Sequence, residues 1–164
     1  MNNTIIVVCL GVVHWLGTNK GTTSWMNPVD RGLAVVTGSP KAPNAVDYKA
    51  VLGKETLRCA THGNIRSHIT IDLKDVFVKP TKYSLKHYIS WDIEALRTWE
   101  LHGSTGTRNG VQDEWVILKQ HKDDTSLKKK GATKTWGIAQ SANDGAFNKF
   151  RIVITGPNSN DHCM

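Results

Sequence analysis

Short segments in which apolar and polar residues alternate recur along the chain, and a two-residue period is typical of a sheet strand with one buried face. The clearest of these segments places Tyr83, Leu85, His87 and Ile89 on one face. Residues 68–73 alternate in the same way, and glycine or charge clusters separate the segments. No segment has a sustained helical period. We therefore predict an all-β fold built from short antiparallel strands.

The length of 164 residues is that of one domain, and it is sufficient to bury a core without disulfide bonds. Hydrophobic residues make up only 39% of the chain, but six tryptophans compensate because each buries a large area. No internal repeat and no linker divides the sequence. We expect a single domain over residues 13–164.

The start of the chain allows more than one interpretation. Residues 4–13 form an apolar run as long as the core of a signal peptide, yet neither lysine nor arginine precedes it. The run is too short to span a bilayer, and we expect no transmembrane segment. We interpret residues 1–12 as an N-terminal strand or as a non-native start of a longer protein, in preference to a signal peptide.

The formal net charge is +7, and much of the excess lies in residues 119–134, which contain six lysines. Nucleic-acid modules add aromatic stacking platforms or arginine forks to such a patch. This segment offers neither before Trp136. We interpret it as a solvated loop and consider a nucleic-acid partner unlikely.

Cysteine usage bears on the cellular compartment. The three cysteines, Cys9, Cys59 and Cys163, are too few for a disulfide framework, although the first and last lie near opposite termini and could join them. Cys59 has no adjacent base and is expected to be an inert, partly buried thiol. This pattern favours an intracellular, cytoplasmic location over secretion.

Catalytic and metal-binding motifs are absent from the sequence. The seven histidines lie on different predicted elements, with no His-x-x-x-His or Glu-x-x-His spacing. Neither a Gly-x-Ser-x-Gly elbow nor a phosphate-binding glycine loop occurs. We predict that the domain is not an enzyme, and that it uses no cofactor and no metal ion.

Five short motifs follow one another along the chain, at residues 72–73, 80–85, 96–104, 115–118 and 150–152. In this order and spacing they resemble the discoidin or coagulation-factor C-type domain, a galactose-binding-like jelly roll. The resemblance covers roughly residues 13–160 and is strongest to the intracellular branch found beside BTB or HECT ubiquitin-ligase modules. It implies an antiparallel β-sandwich whose loops bind ligands at one end.

Two departures from that family stand out. The loop over residues 104–115 is longer than the family's usual Ser-x-Asp-Gly-x-x-Trp turn. Members of the family also continue past a loop like 156–159 into a final strand that pairs near the N-terminus, whereas this chain stops at Met164. We therefore expect a sandwich that lacks its last strand, in a fragment or a truncated gene model.

The tryptophans divide into two groups by their predicted surroundings. Trp99, Trp115 and Trp136 lie in predicted strands, so we expect core or sheet-face positions. Trp25 and Trp91 lie in predicted loops, where an exposed indole is a common recognition anchor.

Two polar residues complete the predicted binding site. Arg97 follows Trp91 closely and could pair with a carboxylate or fix its own loop, and Asn19 offers a planar amide near Trp25. The resemblance implies ligand contacts from the loops at residues 18–25, 39–48 and 88–97. We predict that Asn19, Trp25, Trp91 and Arg97 bind a ligand or partner on loops that converge at one end of the sandwich.

Two functions remain open from the sequence. The first is a non-catalytic module that recognises a protein partner through its end loops, as a substrate-recognition part of a ubiquitin-ligase-like protein. The alternative is a lectin-like module that binds carbohydrate or lipid, with the same four residues as an aromatic and polar site. The low cysteine count favours the first.

Overall fold

The computed structural model describes residues 2–4, 6–7, 11–89, 94–106, 113–139 and 145–160. In these residues the strands are β1 (Asn2–Thr4), β2 (Ile6–Val7), β3 (Val35–Gly38), β4 (Ala60–His62), β5 (His68–Asp72), β6 (Lys82–Lys86), β7 (Trp99–Ser104), β8 (Val116–His121), β9 (Thr133–Gly137) and β10 (Lys149–Ile154). The helices are α1 (Val12–Gly17) and a 3-10 helix (Tyr48–Leu52).

Antiparallel pairing arranges these strands in three sheets. A five-stranded sheet has the order β3-β5-β10-β7-β8, and a three-stranded sheet has the order β2-β6-β9. Strands β1 and β4 form a two-stranded sheet. The hydrophobic core contains side chains from both larger sheets. The prediction of an all-β antiparallel sandwich is confirmed.

Residues of the five-stranded sheet alternate between the core and an outer face. Ile69 and Ile71 of β5 are buried, as is Leu73 just beyond it. In the register with β10, Ile71 pairs with Phe150 and Ile69 with Ile152, and directly paired residues share a face. The predicted alternation over residues 68–73 is thus confirmed.

Strand β6 matches its predicted pattern except at the end. Tyr83, Leu85 and His87 are buried on one face, as expected, but Ile89 is 53% exposed. The prediction for Ile89 is wrong because β6 ends at Lys86, where its pairing with β9 also ends. Beyond that point the chain is bonded to the turn that precedes β9, since the N–H of His87 donates to the carbonyl of Ala132 at 2.8 Å and the N–H of Gly131 donates to the carbonyl of Tyr88 at 3.0 Å. A turn does not impose the strict two-residue alternation of a paired strand.

The N-terminal region contains two short strands, within the residues interpreted above as an N-terminal strand or a non-native start, and a helix that the sequence analysis did not predict. Strand β1 pairs with β4, and β2 pairs with β6. The short helix α1 buries Val13 and Leu16, which are three positions apart and lie on the same side. Trp15 lies on the exposed side of the helix. Six residues are too few to produce a recognisable helical period. Neither helix in the described part of the chain has the length and apolar character needed to cross a membrane.

The three strand-associated tryptophans occupy core or sheet-face positions, as predicted. Trp99 is completely buried, and Trp136 packs against the core while half-buried. Trp115 lies just before β8. Ile117 pairs with His102 of β7, whose side chain lies on the outer face, and Trp115 shares that face because it is two residues away.

Candidate functional site

The loop that follows helix α1 packs Trp25 against the end of the helix. A Cβ atom at Gly17 would lie 2.5 Å from Trp25 Nε1 and 2.9 Å from the carbonyl oxygen of Met26. Only glycine therefore allows the indole to approach this closely. The N–H of Met26 donates to the carbonyl of Gly17 at 2.8 Å, which fixes the loop to the helix.

Arg31 holds the same loop from the other side. Its Nε donates to the carbonyl oxygen of Gly17 at 3.1 Å. Its Nη2 donates to Thr23 Oγ1 at 2.7 Å and to the carbonyl oxygen of Ser24 at 2.9 Å. One planar guanidinium thus fixes three points of the loop, and the rigid fork makes the arrangement specific.

This scaffold presents a surface that combines aromatic, aliphatic and basic side chains. Trp15 is 42% exposed and Met26 is 48% exposed, while Trp25 is half-buried. The ammonium of Lys20 lies 5.4 Å from the Trp15 ring centroid, and that of Lys54 lies 4.9 Å from the Trp25 ring centroid. Both distances are within the range of cation–π attraction. We call these five residues the tryptophan patch.

Asn19 shapes the turn beside the tryptophan patch. Its φ of 46° is in the left-handed region, which asparagine tolerates better than most residues. The side-chain amide donates to Thr22 Oγ1 at 3.1 Å, and the Thr22 hydroxyl donates back to the Asn19 carbonyl at 2.6 Å. These bonds form a closed turn that positions Lys20.

Arg97 lies just before β7 and lines a small recess in the surface. Its Nε lies 3.4 Å from Asp123 Oδ1, and its side chain is 19% exposed. A recess of about 60 Å³ opens here, which we call the Arg97 recess, and it is lined by Leu96, Arg97, Asp124, Thr125, Lys128 and Ser159.

Three loops meet around the Arg97 recess. The N–H of Asp124 donates to the carbonyl of Arg97 at 2.8 Å. The N–H of Ser159 donates to the carbonyl of Ala95 at 2.9 Å, and the N–H of Ala95 donates back to Ser159 Oγ at 3.0 Å. Loops that are distant in sequence are therefore held together by backbone hydrogen bonds.

A chain of hydrogen bonds lies beneath the recess and joins the two larger sheets. Trp99 Nε1 donates to the Tyr83 hydroxyl oxygen at 3.1 Å, and this hydroxyl contacts His121 Nε2 at 2.7 Å. His121 Nδ1 lies 2.9 Å from Asp124 Oδ2, which also accepts from Trp136 Nε1 at 3.0 Å. An indole N–H can only donate and a carboxylate only accept, so Tyr83 donates to His121 and His121 donates to Asp124. We call these five residues the buried network.

The titratable groups of the buried network support this assignment. Burial holds the pKa of His121 below its ordinary value, although the hydrogen bond and charge of Asp124 oppose the shift. Burial alone would raise the pKa of Asp124, but hydrogen bonds from Ser126 and His121 outweigh it and leave the pKa below its ordinary value. At neutral pH the network therefore contains a neutral imidazole and an ionised carboxylate. Tyr83 and His121 are each 8% exposed, so the network stabilises the sandwich and does not present a reactive group to solvent.

A different polar cluster covers the outer face of the five-stranded sheet. The guanidinium of Arg151 lies 4.1 Å from the Trp115 ring centroid, and its Nε donates to His102 Nδ1 at 3.1 Å. His102 Nε2 then donates to Glu100 at 2.7 Å, and Gln120 donates to the same carboxylate at 2.7 Å. Burial would raise the pKa of Glu100, but the bonds from His102 and Gln120 outweigh it and hold the pKa below its ordinary value.

Contacts with β10 also hold residues 113–115, which lead into β8. Lys149 Nζ lies 2.9 Å from the Asp113 carboxylate, while Arg151 stacks on Trp115. Both cations belong to β10, so residues 113–115 reach back across β7. Asp113 and Trp115, at the C-terminal end of the predicted loop over residues 104–115, are therefore attached to the outer face of the sheet by two separate contacts.

The described residues give little support for a nucleophilic active site or a metal-binding site. No three of their His, Cys, Asp and Glu side chains come close enough together to hold a metal ion. Cys59 is fully buried, and burial raises its pKa to about 12. It is therefore a protonated thiol at neutral pH and a poor nucleophile.

The structure brings only part of the predicted binding site together. Asn19 and Trp25 share the loop that leads toward the edge strand β3. Arg97 leads into β7, and strands β5 and β10 separate β7 from β3. Trp91 lies outside the described residues. The convergence of all four residues at one end of the sandwich therefore stays a prediction.

Of the five members of the tryptophan patch, sequence reasoning named only Trp25, and it did not single out Trp15, Lys20, Met26 or Lys54. Trp15 follows an apolar run that resembles a strand, which hides the change of period at α1. The apolar residues Val13 and Leu16 are spaced for one helical turn, and this signal would have placed Trp15 on the opposite side.

Comparison with solved structures defines the class of fold. CpGH89CBM32-5 from Clostridium perfringens, solved in complex with GalNAc-beta-1,3-galactose, aligns with a TM-score of 0.57 and 16% identity over 80% of this chain and 89% of that chain. The family 32 CBM from C. perfringens NanJ, solved with galactose, aligns with a TM-score of 0.54 and 12% identity over 80% and 88%. The domain therefore has the same class of β-sandwich fold as these two structures, as the resemblance implied.

Comparison of sequences finds similarity to parts of two E3 ubiquitin-protein ligases. The chain is 34% identical over 152 residues to the E3 ubiquitin-protein ligase hecd-1 of Caenorhabditis elegans, and 34% identical over 153 residues to the E3 ubiquitin-protein ligase Ufd4 of Drosophila melanogaster. It is 27% identical to the BTB/POZ domain-containing protein At2g30600 of Arabidopsis thaliana over 90% of the chain. Each ligase match covers 91% of this chain, which spans 6% and 5% of the lengths of the two ligases and 18% of the third protein. No protein-family model matches the chain.

Proposed function

We propose that this domain is a non-catalytic binding module that recognises a protein partner through the tryptophan patch. The observation that carries the proposal is the exposure of Trp15 and Met26 on the helix and the following loop that also carry the half-buried Trp25. Tryptophan and methionine are enriched at protein interfaces, and tryptophan is frequent among the residues that dominate the binding energy. Lys20 and Lys54 at the rim favour an acidic segment of the partner.

The rigidity of the loop supports this role. Arg31 and the backbone bond between Met26 and Gly17 hold the loop in place before any partner binds. A preorganised surface loses less conformational entropy on association, so more of the contact energy contributes to affinity.

The sequence relatives support a setting for this module. Because the similarity spans a small share of two E3 ubiquitin-protein ligases, we place the domain in a larger intracellular protein of the ubiquitin-ligase kind. There it would recognise substrates, while the transfer of ubiquitin would belong to other parts of the protein.

Site-directed photo-crosslinking tests the proposal. A photo-reactive amino acid replaces Met26 in one variant and the 54% exposed Ile65, which lies between β4 and β5, in a matched control. We expect proteins that crosslink at position 26 but not at position 65. Adding Trp15→Ala should then weaken binding of the purified partner by about 1 kcal/mol or more. Capture of the same proteins at both positions would contradict recognition by this surface.

Carbohydrate binding is the second candidate, because both solved neighbours hold galactose-containing ligands. The Arg97 recess offers a guanidinium beside Thr125 and Ser159, which are groups that can bind sugar hydroxyls. Calorimetric titration with galactose separates the two functions. Saturable binding that Arg97→Ala abolishes would support the carbohydrate site, and heats equal to those of dilution would exclude galactose as its ligand.

A further inference from the structure

An apolar cleft of about 350 Å³ opens between the two larger sheets beside helix α1. Ile71, Leu101 and Phe150 line it from the inner face of the five-stranded sheet, and Val13 lines it from the helix. Protein interiors are close-packed and contain few voids larger than a water molecule. The volume falls instead within the range of small-molecule sites, about 300–1,000 Å³.

Three hydroxyl groups along the cleft already have partners within the protein. The Tyr83 hydroxyl is engaged by Trp99 and His121 in the buried network. The hydroxyls of Ser84 and Thr135 hydrogen-bond to each other at 2.7 Å. Water is retained in cavities that offer it two to four polar partners, whereas apolar cavities take up apolar molecules. The interior of the cleft therefore suits an apolar occupant.

The mouth of the cleft has the opposite character. Lys79 and Lys82 both line it and are both exposed, with Pro80 between them restricting the backbone. Among the described residues of the lining there is no acidic side chain. The mouth therefore carries positive charge, and it favours a ligand whose exposed end is an anion.

We propose that this cleft binds a medium-chain aliphatic carboxylate, with the hydrocarbon chain inside and the carboxylate near Lys79 and Lys82. A water molecule in the liquid occupies about 30 Å³, and we assign the same volume to each non-hydrogen atom of a ligand with its hydrogens. On this basis the cleft holds roughly ten to twelve non-hydrogen atoms. That is the size of an acid with about eight to ten carbons. The site is separate from the tryptophan patch, because Val13 faces the cleft while Trp15 faces solvent.

Titration calorimetry of the 164-residue chain with decanoate tests this site. We expect one saturable site with a Kd on the order of 0.1–1 mM, given the affinity that small ligands gain for each heavy atom. Octanoate should bind roughly fifteenfold more weakly, because it lacks two methylenes and each buried methylene changes affinity by about fourfold. Butyrate, which carries the charge without the long chain, should show no saturation. Equal affinities for decanoate and butyrate would overturn the proposal.

A cleft-filling variant tests whether the chain lies inside. Val78 lines the wall and is half-buried, so Val78→Phe should occupy part of the volume and weaken decanoate binding at least tenfold. Circular dichroism and thermal unfolding establish whether this variant is folded. A folded Val78→Phe variant with unchanged affinity would show that decanoate binds elsewhere.

Charge reversal provides a second test that leaves the core untouched. Lys79→Glu combined with Lys82→Glu should weaken decanoate binding about tenfold. The matched control, Lys129→Glu with Lys130→Glu, makes the same change in net charge at exposed residues outside the cleft and should alter affinity less than twofold. Equal losses in both double variants would mean that general electrostatic attraction, and not the cleft mouth, explains the binding.

Discussion

The buried network and the tryptophan patch use similar residues in opposite ways. In the buried network Trp99 is completely buried and stacks on His121 with ring centroids 4.1 Å apart. In the tryptophan patch Trp15 is 42% exposed, and its ring contacts the ammonium of Lys20. The first arrangement joins two sheets and satisfies every donor in the chain of bonds. The second leaves apolar area in contact with water.

This difference in exposure determines whether a substitution mainly affects the stability of the domain or its binding to a partner. Loss of a buried ring removes hydrophobic burial and leaves a cavity, so its main effect is on the free energy of unfolding. Loss of an exposed ring removes little burial in the isolated domain, so its main effect is on a complex in which that ring becomes buried. Substitutions in the two regions should therefore give distinct profiles.

The largest effect is expected at the centre of the buried network. Trp99→Ala should lower the free energy of unfolding by about 3–5 kcal/mol, because it empties a fully buried aromatic site. Trp115→Ala, on the outer face, should cost about 1 kcal/mol, since the half-buried ring mainly stacks on Arg151. Chemical denaturation measures both. Equal losses would show that the outer cluster contributes as much to stability as the core.

The next effect concerns a single hydroxyl. Tyr83→Phe should lower the free energy of unfolding by about 1–3 kcal/mol, because it removes the partner of both Trp99 Nε1 and His121 Nε2 in a buried place. The control is Tyr88→Phe, at a half-buried tyrosine outside the network, which should cost less than about 1 kcal/mol. Chemical denaturation of the two variants under identical conditions shows whether the loss in free energy of unfolding comes from the buried network or from removing any tyrosine hydroxyl.

The strands could be predicted from the sequence, but the buried network could not. Alternation is a local signal, and it located Ile69, Ile71 and Leu85 correctly because each strand buries one face. The partners of Tyr83 lie 16 and 38 positions away along the chain, and no spacing rule relates them. They meet only because two sheets pack face to face.

The candidate binding site was partly predictable for a related reason. Loop composition placed Trp25 in a loop, since Gly, Asn and Pro surround it, and the structure has it in the loop after α1. The contribution of Trp15 depends on which side of α1 faces the core, and that is decided by the packing of Val13 and Leu16. Arg97 was flagged by its position near a strand, but its pairing with Asp123 requires a contact between two loops.

Lowering the pH should reduce the free energy of unfolding through two groups of the buried network, His121 and Asp124. Because the pKa of His121 is lowered in the folded chain, the unfolded chain takes up a proton there more readily as the pH falls below about 6.5. The free energy of unfolding should therefore decrease with falling pH in that range. Asp124, whose pKa is also lowered, should add a further loss below about pH 4. Thermal unfolding across this pH range measures both losses.

The variant His121→Gln serves as the control for acidification. It should be less stable than the parent chain at neutral pH, because it loses the stacking on Trp99. It should also show a smaller decline in stability between about pH 6.5 and pH 5, since the group that titrates there has been removed. An unchanged slope would assign the pH dependence to other histidines.

The smallest effect on stability is expected in the tryptophan patch. Trp15→Ala should lower the free energy of unfolding by less than about 1 kcal/mol, because the ring is 42% exposed and its contact with Lys20 is of the weak, solvated kind. Chemical denaturation alongside Trp99→Ala provides the direct comparison, and the denaturant dependence should match that of the parent chain if the fold is intact. A loss near that of Trp99→Ala would mean that Trp15 supports the core through α1. In that case its exposure would not indicate a recognition role, and the tryptophan patch would be reduced to Trp25, Met26 and the two lysines.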